Sequence, residues 1–302
     1  MVQNLVSIIM SCYNEEIEWI NQCIQSLLNQ TYKNLEIVIV NDNPKNIEIS
    51  KVLNCYLDLD SRIKVIINPN NLGLVKSLNE AIMESNGEYI ARIDSDDISE
   101  LSRIETQVNY LINNKDVDFV MSHANIINES GFKVGEYTVT PNKMKDIKLL
   151  LKYKNVSIHP TWMFRRKILI KLKGYNEIAY VEDYEFLCRA ILEGYNIESI
   201  PLKLIDYRIR STSVCNSNRI QQQINFQNVN IMYKENLKKK NIDSSMKYNN
   251  LTINTKYANR NNSKKNFLGC LLLLRNKYKR IQLSNEIAYR MNLIRLKLQN
   301  LK

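Results

Sequence analysis

Tyr89-Ile90-Ala91-Arg92-Ile93-Asp94-Ser95-Asp96-Asp97 is the stretch on which the reading of this chain depends. Its apolar first half reads as a buried strand, and three carboxylates follow at once. A strand that drives like charges to its carboxyl end stores repulsion that a divalent cation relieves. Clustered carboxylate oxygens suit Mg²⁺ or Mn²⁺, which take one or two carboxylates and complete their shell with substrate phosphates. In an open α/β sheet the carboxyl ends of the strands are also where ligands bind. The plainer alternative is a solvated acidic loop.

Upstream of this strand, strand and helix signals alternate. Leu5 to Met10 is near-continuously apolar, as in a strand covered on both faces. Asn14 is placed to cap the next helix, with Glu15 and Glu16 at the positive end of its dipole. Ile20, Cys23, Ile24, Leu27 and Leu28 then share one helical stripe. Leu35 to Val40 reads as a second strand running into the turn Asn41-Asp42-Asn43-Pro44. A helical pattern through Ile49, Val52, Leu53, Tyr56 and Leu57 precedes a strand from Ile63 to Ile67. Gly73 to Met83 reads as a third helix. This alternation predicts an α/β fold with a mostly parallel sheet and right-handed crossovers.

Downstream the texture changes. Phe119 to Met121 and Asn125 to Val139 read as short strands with turns at Gly131 and Gly135. Two apolar runs, Thr161 to Phe164 and Ile197 to Ile209, flank a helix from about Glu182 to Leu192. After Ser213 the sequence is polar, then basic and helical.

The net charge of +11 over 302 residues conceals two unlike parts. Residues 1–216 hold 24 Lys and Arg against 28 Asp and Glu, a net of −4. Residues 217–302 hold 18 against 3, a net of +15. The expected division is a domain over 1–215 and a basic, mostly helical extension over 216–302, the extension being an interaction surface. Six scattered cysteines form no CxxC pair, which suits reduced thiols better than a disulfide or zinc framework. Two histidines, His123 and His159, leave little for histidine-based zinc catalysis. Leu5 to Met10 lacks the basic lead-in of a signal peptide, and Phe267 to Leu274 is too short to span a bilayer. A cytoplasmic location is therefore expected. A nicotinamide-binding enzyme is excluded: the turn after the first strand contains no glycine, and no GxG occurs anywhere.

Three acidic stations stand just past strands or at a helix start: Asp42, the Asp94/Asp96/Asp97 group, and Glu182-Asp183. Together they allow one carboxylate for a nucleotide, a group for metal and diphosphate, and a free base. Asp42 is equally readable as a turn residue, and Glu182-Asp183 as ordinary helix N-terminal charge.

Several ordered motifs resemble the family 2 glycosyltransferases. They are Val6 to Glu15, Ser26 to Tyr32, Glu36 to Asp42, Asn70 to Gly73 with Ser77-Leu78-Asn79, and Gly87 to Asp97. His159-Pro160-Thr161, Gly174 to Glu177, and Glu182 to Phe186 running into Arg189 continue the likeness, which covers roughly residues 4–212. The resemblance implies a GT-A fold, Rossmann-like, with a nucleotide-sugar-binding half joined to an acceptor-binding half. By position it implies that Asp42 and Asp94 contact uridine, with backbone near Tyr13 lining the base and Lys76 on the donor nucleotide. Asp96 would ligate Mn²⁺ or Mg²⁺ on the diphosphate of a UDP-sugar. Asp183 would be the general base of an inverting displacement, with Glu182 beside it. Arg208 would meet a phosphate, and Arg210 stands where family members often carry histidine; a plain basic strand edge is the alternative for both. His159 is expected to be structural or to line the acceptor cleft. The implied activity is hexosyl or N-acetylhexosaminyl transfer to a glycan or lipid-linked hydroxyl, in surface polysaccharide synthesis.

In the tail, Phe267, Leu268, Leu271, Leu272 and Leu274 precede Arg275, Lys277, Lys279 and Arg280, the pattern of an amphipathic basic helix. Such a helix lies on anionic membranes, giving peripheral contact at the inner face, or packs against a partner. A nucleic-acid-binding module would explain the tail but not the acidic stations, so no nucleic-acid partner is expected. A non-catalytic family member is the remaining alternative.

Overall fold

In the computed structural model, residues 4–139, 142–210 and 218–240 are described. β1 (Val6–Cys12) lies at the centre of the N-terminal half, between β2 (Leu35–Asn41) and β4 (Tyr89–Arg92), all parallel, with β3 (Ile63–Ile67) outside β2. The connections are α1 (Ile17–Leu28), α2 (Ile47–Leu59) and α3 (Leu74–Met83), since parallel neighbours need a crossover between them. Consecutive residues of β1 serve opposite faces. Ile8 and Met10 join Ile24, Leu27 and Leu53 on one side, and Ile9 joins Leu78, Ala81 and Phe186 on the other. Every residue of β2 is buried, which is why its sequence shows no polar alternation. Each fully buried Ile or Val of this kind contributes about 1.5–3 kcal/mol relative to exposure.

The chain builds outward from β1 to β3, then returns through α3 to place β4 on the other side of β1. The crevice beyond the carboxyl ends of β1 and β4 is thus a topological switch point. Beyond β4 the sheet continues as β8 (Met163–Arg165), β6 (Phe119–Ile127), β9 (Ile197–Arg208) and β5 (Ile98–Ser99), with β7 (Lys133–Tyr137) paired to β6. β8 runs antiparallel to both β4 and β6, whereas β6 and β9 form a long parallel ladder from Phe119↔Ile197 to Ile127↔Arg208. By length of ladder the sheet is mostly parallel, as the sequence predicts. The β6–β9 register shifts around His123, where Pro201 and Leu202 are passed over, so a residue without an N–H sits at a bulge.

α7 (Glu182–Leu192) matches its sequence expectation to the residue, and Tyr184 and Phe186 through Leu192 bury a nearly continuous surface. α8 (Arg219–Lys240) packs on it through Val229, Tyr233 and Leu237, one helical turn apart. Phe226 stacks on Tyr184 at 4.4 Å, and Asn230 Nδ2 donates to Tyr184 Oη at 2.7 Å.

Several local expectations are corrected. Asn14 does not cap α1; its Oδ1 accepts from Asn43 Nδ2, and the helix opens at Ile17 behind an extended Glu16. Phe119 to Ile127 is one strand rather than two, because its pairing with β9 carries it through Ser122 and His123. Gly131 lies in the hairpin turn at φ 83°, but Gly135 sits inside β7, opposite a register shift in β6. The apolar run Thr161 to Phe164, to which the sequence assigns no element, divides between a short 3-10 turn over His159–Thr161 and β8, which starts at Met163. α4 (Arg103–Asn113), α5 (Met144–Leu150) and α6 (Lys167–Leu172) had no counterpart in the sequence reading. The expected basic helix after Phe267 lies outside the described residues, and no described helix is long and apolar enough to cross a membrane.

Candidate active site

The acidic segment begins at Asp94, two residues after the end of β4, and closes in a turn, with Asp97 N donating to Asp94 O at 3.2 Å. Asp94, half-buried, is bound through both oxygens by Arg92, with Nη1 to Oδ2 at 2.7 Å and Nη2 to Oδ1. Asp96 is buried, and Arg210 Nε reaches its Oδ2 at 2.8 Å. Asp97 is fully buried; its Oδ1 accepts from Arg208 N at 2.8 Å, and its Oδ2 has no hydrogen-bond partner. One oxygen from each of the three carboxylates lies within 4.8 Å of the others.

Burial, then the charge of Asp94, push the Asp96 carboxyl up to about 7, against the opposing pull of Arg210. Burial and the charges of Asp96 and Asp94 push Asp97 well above the usual range. Two like charges about 4 Å apart at an effective dielectric of 20 repel by about 4 kcal/mol, and the two ion pairs, Arg92 to Asp94 and Arg210 to Asp96, leave the third carboxylate, Asp97, held by a backbone N–H. Close oxygens, mutual repulsion and an unpartnered buried Oδ2 together fit a divalent cation of the Mg²⁺ or Mn²⁺ kind.

Arg208 is part of the frame. Its Nε donates to Asp96 O at 2.8 Å, Nη1 to Asn128 O and Glu129 O, and Nη2 to Gln22 Oε1 at 2.8 Å. Trp19 covers this guanidinium at 5.2 Å and donates through Nε1 to Glu129 O. The residue expected to meet a phosphate is therefore turned inward, tying the acidic turn to α1 and the β6–β7 hairpin. Beneath the cluster, buried Arg103 donates to Arg92 O at 2.7 Å and to Trp162 O, and burial lowers its pKa to about 9.

On the other flank, Asp42 is buried and holds a loop. Its Oδ1 accepts from Asn68 Nδ2 and Leu72 N, and its Oδ2 from Gly73 N at 2.9 Å. Gly73 has φ 88°, which a side chain would strain, and opens α3. Lys76, half-exposed on α3, lies 3.6 Å from Glu177 rather than in the acidic turn. Tyr13 is 40% exposed at the end of β1, and its N–H donates to Glu15 Oε2. Glu15 in turn lies 3.9 Å from Arg210.

Glu182 and Asp183 open α7, where the helix dipole favours negative charge. Asp183 Oδ2 accepts from Asn155 Nδ2 at 2.7 Å, and Oδ1 from Tyr184 N. Burial raises the Asp183 pKa against these bonds; burial and Asp183 push Glu182 up to about 7. Arg92 opposes both shifts, as it also counters Tyr175. The guanidinium that grips Asp94 thus also acts on the α7 carboxylates. His159 is buried on Trp162, with Nε2 2.8 Å from Tyr175 Oη. Burial and Arg92 hold its pKa well below 6.5, so it is a neutral packing residue here. Gly174, at φ 85°, leaves room for Asn79 Oδ1, with which a Cβ would clash. Asn79 fixes Tyr175 through both backbone groups.

The fold gathers Asp94, Asp96 and Arg208 with Asp97 and Arg210, and brings Glu182-Asp183 within the electrostatic reach of Arg92. Asp42 and Lys76 make their contacts beside this cluster. Sequence reasoning missed Arg92, whose only signal was a charge inside an apolar strand, and Asn155, Trp19 and Arg103, which gave none.

The profile described as Glycosyl transferase family 2 matches residues 7–173. The O-antigen biosynthesis glycosyltransferase WbnJ of Escherichia coli is 34% identical over 70% of this chain and 82% of its own length. The Escherichia coli UDP-Glc:alpha-D-GlcNAc-diphosphoundecaprenol beta-1,3-glucosyltransferase WfgD is 33% identical over 72% of this chain and 82% of its own length. Among solved structures, residues 1–349 of S. aureus TarS in complex with UDP-GlcNAc superpose with a TM-score of 0.61 at 19% identity. That match covers 77% of this chain and 66% of TarS 1–349, and it speaks for a shared GT-A fold.

Proposed function

The chain belongs to glycosyl transferase family 2 and is a glycosyltransferase, and from that premise we propose an inverting, divalent-metal-dependent transfer from a UDP-sugar. The acceptor in this reading is a hydroxyl of a glycan or lipid-linked glycan in surface polysaccharide synthesis. The names of WbnJ and WfgD and the UDP-GlcNAc bound to TarS support donor and pathway. One observation carries the reading: the Asp94, Asp96 and Asp97 oxygens cluster for a cation, and a second carboxylate pair, Glu182-Asp183, opens α7 within the electrostatic reach of Arg92.

Asp96, with Asp94 and Asp97, would hold Mn²⁺ or Mg²⁺. When bound, that ion supplies positive charge to the departing diphosphate. Asp42 serves the nucleotide side by fixing the turn at Leu72 and Gly73, with the Tyr13 backbone and Lys76 toward the base and ribose. Asp183 takes the proton of the acceptor hydroxyl as its oxygen bonds to the anomeric carbon and the bond to diphosphate breaks. Attack and departure on opposite faces invert that carbon. Burial raises the basicity of Asp183, and Asn155 aims its carboxylate while leaving Oδ2 lone-pair capacity. Glu182 orients the acceptor or the base.

The test is calorimetric binding of UDP to the full chain with Mn²⁺ and with EDTA, then UDP release from a panel of UDP-sugars. Binding that requires Mn²⁺ supports the reading; equal binding in EDTA sinks its metal dependence, and no binding in either sinks the uridine donor.

A further inference from the structure

Arg210 stands two residues beyond the end of β9, next to Ile209, whose N–H bonds Ile127 O at 2.9 Å. Its Nε lies 2.8 Å from Asp96 Oδ2, its Nη1 3.9 Å from Glu15 Oε1, and its guanidinium 6.0 Å from the Trp19 ring centroid. The carboxylate assigned to a metal is therefore neutralised by a cation of the chain itself. Arg208 is different in kind. It is 3% exposed, and three of its four guanidinium acceptors are backbone carbonyls. Arg210 is 23% exposed at its side chain, and the partners given above are two carboxylates and an indole face. A guanidinium so placed can leave Asp96 by side-chain rotation, with no strand or turn undone.

A divalent ion and a guanidinium repel one another and compete for the same carboxylate oxygen. An ion that takes Asp96 Oδ2 displaces Arg210, which stays tethered beside the site. A phosphate offers the paired oxygens that a planar guanidinium binds best.

Resting on the donor reading above, we propose that Arg210 is a tethered counter-cation of the donor site. It holds Asp96 until metal and nucleoside diphosphate arrive together, then transfers to the diphosphate. Metal alone is then bound weakly and metal with nucleotide tightly, a positive coupling between the two ligands. The acidic turn is kept from sequestering a cation without a donor.

The test uses the full chain as wild type, Arg210→Gln and Arg210→Lys. Mn²⁺ binding without nucleotide is read from the electron paramagnetic resonance signal of the free ion. UDP binding is read by calorimetry at saturating Mn²⁺. Arg210→Gln is expected to tighten Mn²⁺ alone about tenfold and to weaken UDP about tenfold, one charge-assisted contact being removed in each state. Arg210→Lys, which keeps the charge, is expected to retain the weak Mn²⁺ binding of wild type. A damaged fold weakens both ligands, so the opposite signs separate the proposed role from a structural one. Unchanged or weaker Mn²⁺ binding by Arg210→Gln overturns the proposal even where wild type needs Mn²⁺ for UDP. Absence of UDP binding in wild type, with Mn²⁺ or EDTA, overturns the donor reading and this proposal with it, before any variant is compared.

Discussion

Arg92 binds Asp94 through both carboxylate oxygens from a position on β4 that is 2% exposed, while Asp94 is 33% exposed at its side chain. Burial raises the pKa of Glu182 and Asp183 on α7 and the same guanidinium opposes that rise, so a single buried cation acts on both acidic stations. Its Nε has no hydrogen-bond partner, so Asp94 does not satisfy every donor of the guanidinium.

Arg92→Met keeps much of the volume and removes the charge. The carboxylates around it then lose their buried counter-ion, and removing one partner of a buried pair costs about 3–5 kcal/mol. Because Asp94 is partly solvated, the lower end is expected, about 3 kcal/mol. Urea unfolding with an unchanged slope measures it; a midpoint equal to wild type contradicts the bridging role.

Asp183→Asn preserves shape and removes the base. Transfer is expected to fall by about 10²–10⁴-fold, the usual worth of general base catalysis. UDP binding with Mn²⁺ is expected to stay within a few-fold of wild type. Retention of most activity would move the assignment to Glu182.

Glu182 has a folded-state pKa of about 7, raised from 4.5 by burial and by Asp183. A raised carboxyl pKa means that the folded state binds the extra proton, so its stability contribution is present below about pH 4.5 and lost as pH rises to about 7. Glu182→Gln, permanently neutral, is expected to flatten that fall. Melting temperatures across pH 4–8 decide it; superimposable slopes for wild type and variant refute the shift. Asp96, also raised to about 7, contributes in the same direction, and Mn²⁺ is expected to offset its share.

Tyr233 is fully buried where α8 meets the rest of the fold, and its hydroxyl donates to Lys148 O at 3.1 Å. Tyr233→Ala opens a large cavity, and a loss of about 3–5 kcal/mol is expected by analogy with other aromatic truncations. Asn225 Nδ2 and Gln222 Nε2 of the same helix hold Ala179 O and Tyr180 O, just before the base. Activity should therefore fall together with stability. A variant as stable as wild type would show that α8 only rests on the surface.

The sequence by itself determined the order of the elements and the chemistry they carry. Hydrophobic periodicity is a local signal, so Leu35 to Val40 and Glu182 to Leu192 were legible to within a residue. The acidic run after β4 was equally plain, because three carboxylates after an apolar strand need no tertiary information to be noticed. What only the tertiary structure decided is which charges meet. Arg208 N bonds Asp97 across 111 positions, and Asn155 aims Asp183 across 28; no period in the chain encodes either pairing. Asn14 and Gly135 failed for the same reason, since Asn43 claimed the one side chain and the β6 ladder the other backbone. Local patterns fix where the chain bends and which face is apolar, whereas the protonation state and partner of a carboxylate depend on everything brought within a few ångströms of it.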